Sequence, residues 1–113
     1  MNLSNALTDE EESKVFSQAV EANNDWCKNV GASMHKCAPE IAKIIKQDGR
    51  TITNELPTKQ CCSELLRLGD SCYYFWMNYE ASYVPQQRDL FAYSVEFLVN
   101  VDNVWTGCQS KVL

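Results

Sequence analysis

Six cysteines, two of them adjacent, constrain the fold of this chain more than any other feature of its sequence. They are Cys27, Cys37, Cys61, Cys62, Cys72 and Cys108. An even number of cysteines in a chain of 113 residues predicts three disulfides, and disulfides persist in oxidising compartments. Sulfur held in a disulfide is neither a nucleophile nor a metal ligand, so most cysteine chemistry is excluded. The alternative is a cytosolic protein with six free thiols, in which the cysteine spacing would be a coincidence.

The spacing of four of these cysteines suits two antiparallel helices. If residues 56–74 form one helix, Cys61 and Cys72 are eleven residues apart, or about 1100° of rotation and roughly 16 Å along the axis, so they share one face. Cys27 and Cys37 are ten residues apart, or roughly 15 Å if their stretch is also helical. The two pairs therefore match rung for rung, Cys27 to Cys72 and Cys37 to Cys61.

The second cysteine of the doublet needs a different partner. Cys62 is turned by about 100° from Cys61 on a helix, and Cys108 is the one cysteine left for it. Six cysteines allow fifteen pairings, and spacing alone selects this one. Gly31 and Pro39 could each break or bend the first of the two helices.

Composition and charge narrow the class of protein. With 45% hydrophobic residues the chain can bury a core, and we expect one helical, disulfide-rich domain over residues 8–113 after a disordered lead over residues 1–7. The formal charge of −5 argues against nucleic acid as a partner. No run of about 18 apolar residues is present, so no membrane span is expected.

The N-terminus lacks the basic and apolar regions of a signal peptide, so we expect a mature secreted fragment with its signal peptide removed. Asn2 begins a formal glycosylation acceptor, Asn-Leu-Ser.

The N-terminal half predicts two helical segments. Thr8 and Glu11 form a capping box that starts the first. Its apolar stripe recurs at helical spacing through Val15, Phe16, Ala19, Val20, Trp26, Cys27 and Val30. Gly31 is expected to end this helix, and Ser33 to cap a second one that stops at residues 48–49.

The C-terminal half predicts two or three further helices. Residues 48–57 are polar with turn residues at both ends, which indicates a loop, and Pro57 suits the first turn of the next helix. Gly69 is expected to weaken that helix without necessarily ending it. Its inward residues are predicted to be Cys61, Leu65, Leu66, Leu68 and Cys72. After Pro85, a last amphipathic helix is predicted from Leu90, Phe91, Val95, Leu98, Val101 and Trp105. The expected fold is an all-α, disulfide-stapled bundle of four to five helices.

The cysteine framework, C-x9-C-x23-CC-x9-C-x35-C, resembles the plant prolamin superfamily. More narrowly, Trp26-Cys27, the run Cys37-Ala-Pro-Glu-Ile41 and the doublet followed by nine residues resemble the prolamin-like proteins of egg cells and ovules. The resemblance implies a secreted helical module with roles in extracellular signalling and cell recognition around the gametes, without catalysis. Two features depart from it. The chain lacks the Cys-x-Cys of the eight-cysteine lipid-transfer proteins, and the region before Cys27 is long for the family.

No arrangement of residues indicates catalysis, a metal or a cofactor. His35 is the single histidine, no Gly-x-Ser-x-Gly motif is present, and we expect this histidine to be exposed and nonfunctional. Glu10, Glu11 and Glu12 are consecutive, so they point in different directions on a helix and are expected to be a solvated helix start. The doublet has neither Cys-x-x-Cys redox spacing nor zinc-site spacing.

Residues 73–83 carry more aromatic side chains than one buried stripe can hold. On a helix, residues 73–76 cover the whole circumference, so some rings must face water or a partner. The candidate partner-binding residues are Tyr73, Tyr74, Phe75, Trp76, Tyr79 and Tyr83. The alternative is that the cluster packs between the last two helices with its hydroxyls at the rim.

The sequence therefore favours a secreted, non-enzymatic protein that binds another protein, such as a cell-surface receptor or a gamete-surface component, in plant reproduction. The first alternative is a lipid carrier of the lipid-transfer type, which would need an apolar pocket of roughly 300 Å³ or more. The weaker alternative is a protease or amylase inhibitor that presents the loop at residues 48–57.

Overall fold

The computed structural model describes residues 7–47, 51–83 and 94–112. Within these ranges the chain forms six α-helices and no strand, so the all-α class is confirmed. The helices are α1 (Asp9–Asn23), α2 (Asp25–Val30), α3 (Ala38–Lys46), α4 (Lys59–Leu68), α5 (Asp70–Tyr83) and α6 (Val95–Val112), with a 3₁₀ helix at Gly31–Met34. Several predictions fall on residues outside the described ranges: the lead up to residue 6 with Asn2, the helix stop at Asp48 and Gly49, Pro85, Leu90 and Phe91.

The start of α1 confirms the predicted capping box. The Thr8 hydroxyl accepts a hydrogen bond from the Glu11 amide at 3.1 Å, and the Glu11 carboxylate accepts one from the Thr8 amide at 2.7 Å. Leu7 is buried beside Val15. Glu12, which was expected to be solvated, is also buried, because it lies on the face of α1 that carries Val15 and Phe16.

The predicted first helix is divided at Asn24. This residue has extended backbone angles, φ −171° and ψ 175°, and its side chain accepts a hydrogen bond from the Cys27 amide at 2.8 Å. An asparagine in this position is a strong N-cap, so it starts α2 instead of continuing α1. The division turns Trp26 outward, with 62% of its surface exposed, so its prediction as part of the apolar stripe was wrong.

The start of α3 also differs from the prediction. Ser33 does not cap a helix; it lies in the 3₁₀ helix that follows α2, and its hydroxyl donates a hydrogen bond to Glu64. The helix begins at Ala38, with Pro39 in its first turn. Proline is favoured there because its fixed φ suits a helix and its missing N–H has no intrahelical partner to lose.

Thr58 and Gly69 set the start and the end of α4. Thr58, not Pro57, starts the helix, because the Thr58 hydroxyl accepts a hydrogen bond from the Cys61 amide at 3.3 Å. Gly69 ends the helix at a φ of 97°, a backbone region that is open to glycine and strained for other residues. Because α5 begins at the next residue, the predicted continuous helix over residues 56–74 is two helices with one residue between them.

Three disulfides tie these helices together, with Cα–Cα distances of 5.8, 5.5 and 5.0 Å. They are Cys27–Cys72 from α2 to α5, Cys37–Cys61 from the start of α3 to α4, and Cys62–Cys108 from α4 to α6. This is the pairing that the helical spacing predicts. The break at Gly69 leaves it intact, because only one residue separates α4 from α5.

The core lies between α1, α3, α4, α5 and α6. Its largest fully buried apolar side chains are Trp76, Tyr73, Phe16, Met34, Ile41, Ile45, Leu65 and Leu68. The described part of the predicted loop, residues 51–57, is not helical and is fastened to α6. The Thr53 amide donates to the Asn100 carboxamide oxygen at 2.9 Å, and Lys111 donates to the Pro57 carbonyl at 2.6 Å.

Candidate functional site

The aromatic segment of α5 has one buried side and one open side. Tyr73 and Trp76 are fully buried, so their prediction as partner-binding residues is corrected: they are core residues. The Tyr73 ring stacks on Trp105 with centroids 5.4 Å apart, and its hydroxyl donates to the Val101 carbonyl at 2.6 Å. Burial raises the pKa of Tyr73 well above its ordinary value. Trp76 meets Phe16 edge to face at 4.9 Å.

Three other predicted residues reach the open side of α5. Tyr74 is 40% exposed, whereas Phe75 and Tyr79 are half-buried and stack with their centroids 6.4 Å apart. The side chain of Tyr83 lies outside the described part of the structure. The open side therefore carries Tyr74, Phe75 and Tyr79 in a helical arrangement that brings Asn78 between them.

The Tyr74 hydroxyl is bound to the neighbouring helix. It donates to the Asp102 carboxylate on α6, and the two oxygens are 2.6 Å apart. Partial burial raises the pKa of Tyr74 to about 12, with further contributions from the hydrogen bond to Asp102 and the negative charges of Asp102 and Asp70. The Tyr74 hydroxyl therefore stays protonated at neutral pH. Its hydrogen bond to Asp102 keeps the ring across the contact between α5 and α6.

A groove of about 380 Å³ lies between α5 and α6. Its lining residues are Tyr74, Met77, Asn78, Phe97, Leu98, Val101 and Asp102. A second depression of about 210 Å³ adjoins it and shares Asn78 with it. Leu98 is 49% exposed at the rim, and Val95 is 69% exposed one turn before it on the same face of α6.

We call this region the α5–α6 surface, defined by Tyr74, Phe75, Asn78, Tyr79, Val95, Leu98 and Asp102. It combines apolar and aromatic groups with the carboxylate of Asp102, and no Lys or Arg among the described residues lines either depression. A surface of this composition can bury an apolar group of a ligand and attract a positive charge beside it.

Sequence reasoning missed the α6 half of this surface. Val95 and Leu98 were predicted to belong to the buried stripe of the last helix, which the structure corrects, because both are exposed. Val101 is buried as predicted, and Phe97, Val104 and Cys108 are buried with it. Both sets have helical spacing, so periodicity alone could not choose between them. Asp102 carries no signal in the sequence, because its partner Tyr74 is 28 residues away.

A comparison with known protein families matches a range of residues that contains α5 and most of α6. The model of the Prolamin-like family matches residues 26–109, which include α3 to α5 and most of α2 and α6. The chain belongs to the prolamin-like family. No curated protein and no solved structure matches it. In this prolamin-like protein, all three disulfides lie inside the matched residues, whereas α1 lies before them.

The prolamin-like protein has a third cleft, of about 590 Å³, lined in part by Cys37 and Cys61. His35 lies at its edge and is exposed; its Nδ1 is 3.3 Å from the Ser17 hydroxyl. Within the described ranges no carboxylate hydrogen-bonds to the imidazole, so Ser17 and His35 do not form a triad. The same residues contain no cluster of three His, Cys, Asp or Glu side chains that could hold a metal.

None of the described helices combines the length and the apolar character that crossing a bilayer requires. Three disulfides in a small prolamin-like fold are typical of secreted proteins.

Proposed function

We propose that this prolamin-like protein is secreted and acts without catalysis, by binding another protein through the α5–α6 surface. The proposed setting is extracellular signalling or cell recognition in plant reproduction, with a cell-surface receptor or a gamete-surface component as the partner. The observation that carries the proposal is the exposure of Tyr74 and Leu98 on either side of an apolar groove. Aromatic side chains beside such a groove are typical anchors of protein contacts.

The disulfides support this proposal because they hold both walls of the groove. Cys27–Cys72 ties α5 to α2, and Cys62–Cys108 ties α6 to α4. Tyr73 lies one residue after Cys72 and packs on Trp105 of α6, so the two walls also contact each other. A surface that is ordered before binding loses less conformational entropy when a partner docks.

The charges on the surface favour a partner with a basic residue beside an apolar one. Asp102 lies in the groove lining, and Asp70 is close enough to raise the pKa of Tyr74. Like charges facing each other across an interface are unfavourable, which disfavours an acidic partner at this position. We therefore expect the partner to place an apolar side chain between Tyr74 and Leu98 and a Lys or Arg near Asp102.

The test is affinity capture with the oxidised protein from plant reproductive and vegetative extracts, followed by measurement of the affinity for the captured partner. Leu98→Asp places a charge in the groove and is expected to weaken binding by at least tenfold. Loss of a hot-spot residue costs about 2 kcal/mol or more, and a tenfold change in affinity corresponds to about 1.4 kcal/mol. Thr106→Asp is the matched control, since Thr106 is exposed on the same helix and does not line the groove. Equal affinities of the wild type and Leu98→Asp would contradict the proposed surface.

A lipid carrier remains the second candidate, because the groove exceeds the volume of roughly 300 Å³ that a small ligand needs. Met77, Phe97 and Val101 supply its apolar floor. The groove lies at the surface, however, and the space between the helices is filled by side chains such as Trp76 and Tyr73. Displacement of a fluorescent fatty acid from the wild type, and its loss in Leu98→Asp but not in Thr106→Asp, would favour this candidate over protein binding.

A further inference from the structure

Three charged side chains meet in the core and line neither depression of the α5–α6 surface. Glu12 of α1, Lys46 of α3 and Glu80 of α5 are each at most 4% exposed. The Lys46 ammonium lies 2.5 Å from Glu12 Oε2 and 3.1 Å from Glu80 Oε1. The indole N–H of Trp76 donates to Glu80 Oε2 at 3.0 Å.

These charges do not balance if both carboxyl groups are ionised. Two carboxylates and one ammonium would leave a net negative charge in the core, which is costly in a medium of low dielectric constant. Two buried oxygens, Glu12 Oε1 and Glu80 Oε1, also accept no hydrogen bond in the described structure. Glu80 Oε1 contacts Lys46 only as an ion pair. One added proton corrects both defects, because it neutralises the excess charge and provides a donor between the carboxyl groups.

The titration of Glu80 agrees with this geometry. Burial raises the pKa of the Glu80 carboxyl to about 8, against the opposing effect of Lys46 and with a further increase from the Glu12 carboxylate. The facing charges come from α1 through Glu12 and from α3 through Lys46. One turn further out, Asp9 and Lys43 form an exposed ion pair between the same two helices.

The cluster lies where α1 docks on the rest of the chain. Helix α1 precedes the residues that match the family, and Asn24 in extended conformation joins it to α2. Glu12 is the buried charge that α1 contributes to the contact, and Phe16, one turn later, packs on Trp76. The ion cluster and this aromatic contact therefore hold the same helix against α5.

We propose that Glu12, Lys46 and Glu80 form a proton-dependent latch: a proton shared between the two carboxyl groups keeps α1 docked, and its release lets α1 open away from α3 and α5. Loss of the proton leaves two buried carboxylates that repel each other across the α1–α5 contact. Opening lets water reach both groups and exposes the apolar face of α1 together with Trp76. The latch goes beyond the proposed binding function, because none of its three residues lines the α5–α6 grooves.

Hydrogen exchange of the α1 amides as a function of pH tests the latch in the oxidised full chain. After correction for the intrinsic exchange rate, the opening constant of α1 is expected to rise by up to about tenfold per pH unit from roughly pH 4.5 towards pH 8, then level off. In Glu80→Gln the side chain carries no charge at any pH and its amide can donate to Glu12. We expect the opening constant of this variant to be independent of pH over the same range.

Glu10→Gln is the matched control, because Glu10 is exposed on the same helix. It should keep the pH dependence of the wild type. A wild-type opening constant that does not change with pH would overturn the latch, and so would an equal pH dependence in Glu80→Gln. Should Glu80→Gln fail to fold, a wild-type opening constant that does not change with pH still overturns the latch.

Discussion

The hydroxyl of Tyr74 on α5 donates a hydrogen bond to the carboxylate of Asp102 on α6, with the oxygens 2.6 Å apart. Its neighbour Tyr73 donates to the Val101 carbonyl of the same helix, also at 2.6 Å. The two phenols differ in their surroundings, since Tyr73 is fully buried and Tyr74 is 40% exposed. Adjacent tyrosines thus join α5 to α6 from inside the core and from the surface.

The two tyrosines are expected to differ in their contribution to stability. Tyr73→Phe removes a buried hydrogen bond and should lower the free energy of unfolding by about 1–2 kcal/mol. Tyr74→Phe removes a partly exposed one, whose partner Asp102 can bind water, and should cost about 0.5 kcal/mol. Urea denaturation of both variants at neutral pH measures the difference. A larger loss for Tyr74→Phe would contradict the assignment of Tyr73 to the core.

Removal of the disulfides should destabilise the protein in the order of the loops they close. Cys62–Cys108 and Cys27–Cys72 span 46 and 45 residues, and Cys37–Cys61 spans 24. Each bridge is expected to contribute about 2–5 kcal/mol, and the longer loops about 0.6 kcal/mol more than the short one. Paired Cys→Ser variants, compared by denaturant unfolding, test the order. Mass mapping of unreduced peptides tests the pairing itself, and alkylatable thiols in the native protein would refute it.

Lys46 and Lys43 offer a matched comparison of a buried and an exposed cation on α3. Lys46→Met leaves Glu12 and Glu80 without their ammonium partner and should cost about 3–5 kcal/mol at neutral pH. Lys43→Met removes an ion pair with Asp9 whose side chains are 54% and 69% exposed, so the expected cost is below about 1 kcal/mol. Thermal or urea unfolding measures both. Similar losses for the two variants would show that the buried cluster is not a coupled unit.

The free energy of unfolding should fall as the pH rises from about 5 to about 8. The folded-state pKa of Glu80 is raised from 4.5 to about 8, so over this range the folded state holds a proton that the unfolded chain has released. Folding then takes up protons, and the linkage slope is negative, at most about 1.4 kcal/mol per pH unit. Urea denaturation at several pH values measures the slope. The difference between the wild type and Glu80→Gln isolates the contribution of this group from other titrations.

Gly69 is expected to be sensitive to substitution for backbone reasons alone. A Cβ at this position meets nothing within 4 Å, yet the φ of 97° is strained for any L side chain. Gly69→Ala should therefore cost about 1–3 kcal/mol without a steric clash. Ser71→Ala, two residues later and exposed, is the control and should change stability little. An unchanged stability of Gly69→Ala would mean that α4 and α5 can join without this conformation.

The disulfide pattern shows why part of this fold could be predicted from the sequence. The pairing follows from separations of ten and eleven residues along helices, which are local quantities. That inference survived two departures from continuous helices, the 3₁₀ helix at Gly31–Met34 between Cys27 and Cys37 and the break at Gly69 between Cys61 and Cys72. The 3₁₀ helix follows α2 directly and α5 begins one residue after α4, so the cysteines stay close to their expected positions.

The candidate site was predicted less completely, because the apolar residues of α5 show no helical periodicity. Residues 73–77 are all apolar or aromatic, so no sequence pattern separates Tyr73 and Trp76, which are buried, from Tyr74, which is open. On α6 the apolar residues fit two overlapping sets with helical spacing, so periodicity cannot tell which set is buried. The structure buries Phe97 and Val104 and leaves Leu98 exposed. Glu12 looks like one of several solvated acids until α3 and α5 are placed beside it.

The sequence by itself determined the all-α class, the capping box at Thr8 and the relation among the six cysteines, since each depends on residues that are near in sequence or on the geometry of one helix. Only the tertiary structure decided which side of α5 is open, which stripe of α6 is buried, and that Glu12, Lys46 and Glu80 meet. These features depend on distances between helices that are far apart in sequence. Local periodicity contains no information about those distances, because packing is set by the shapes of whole helix faces.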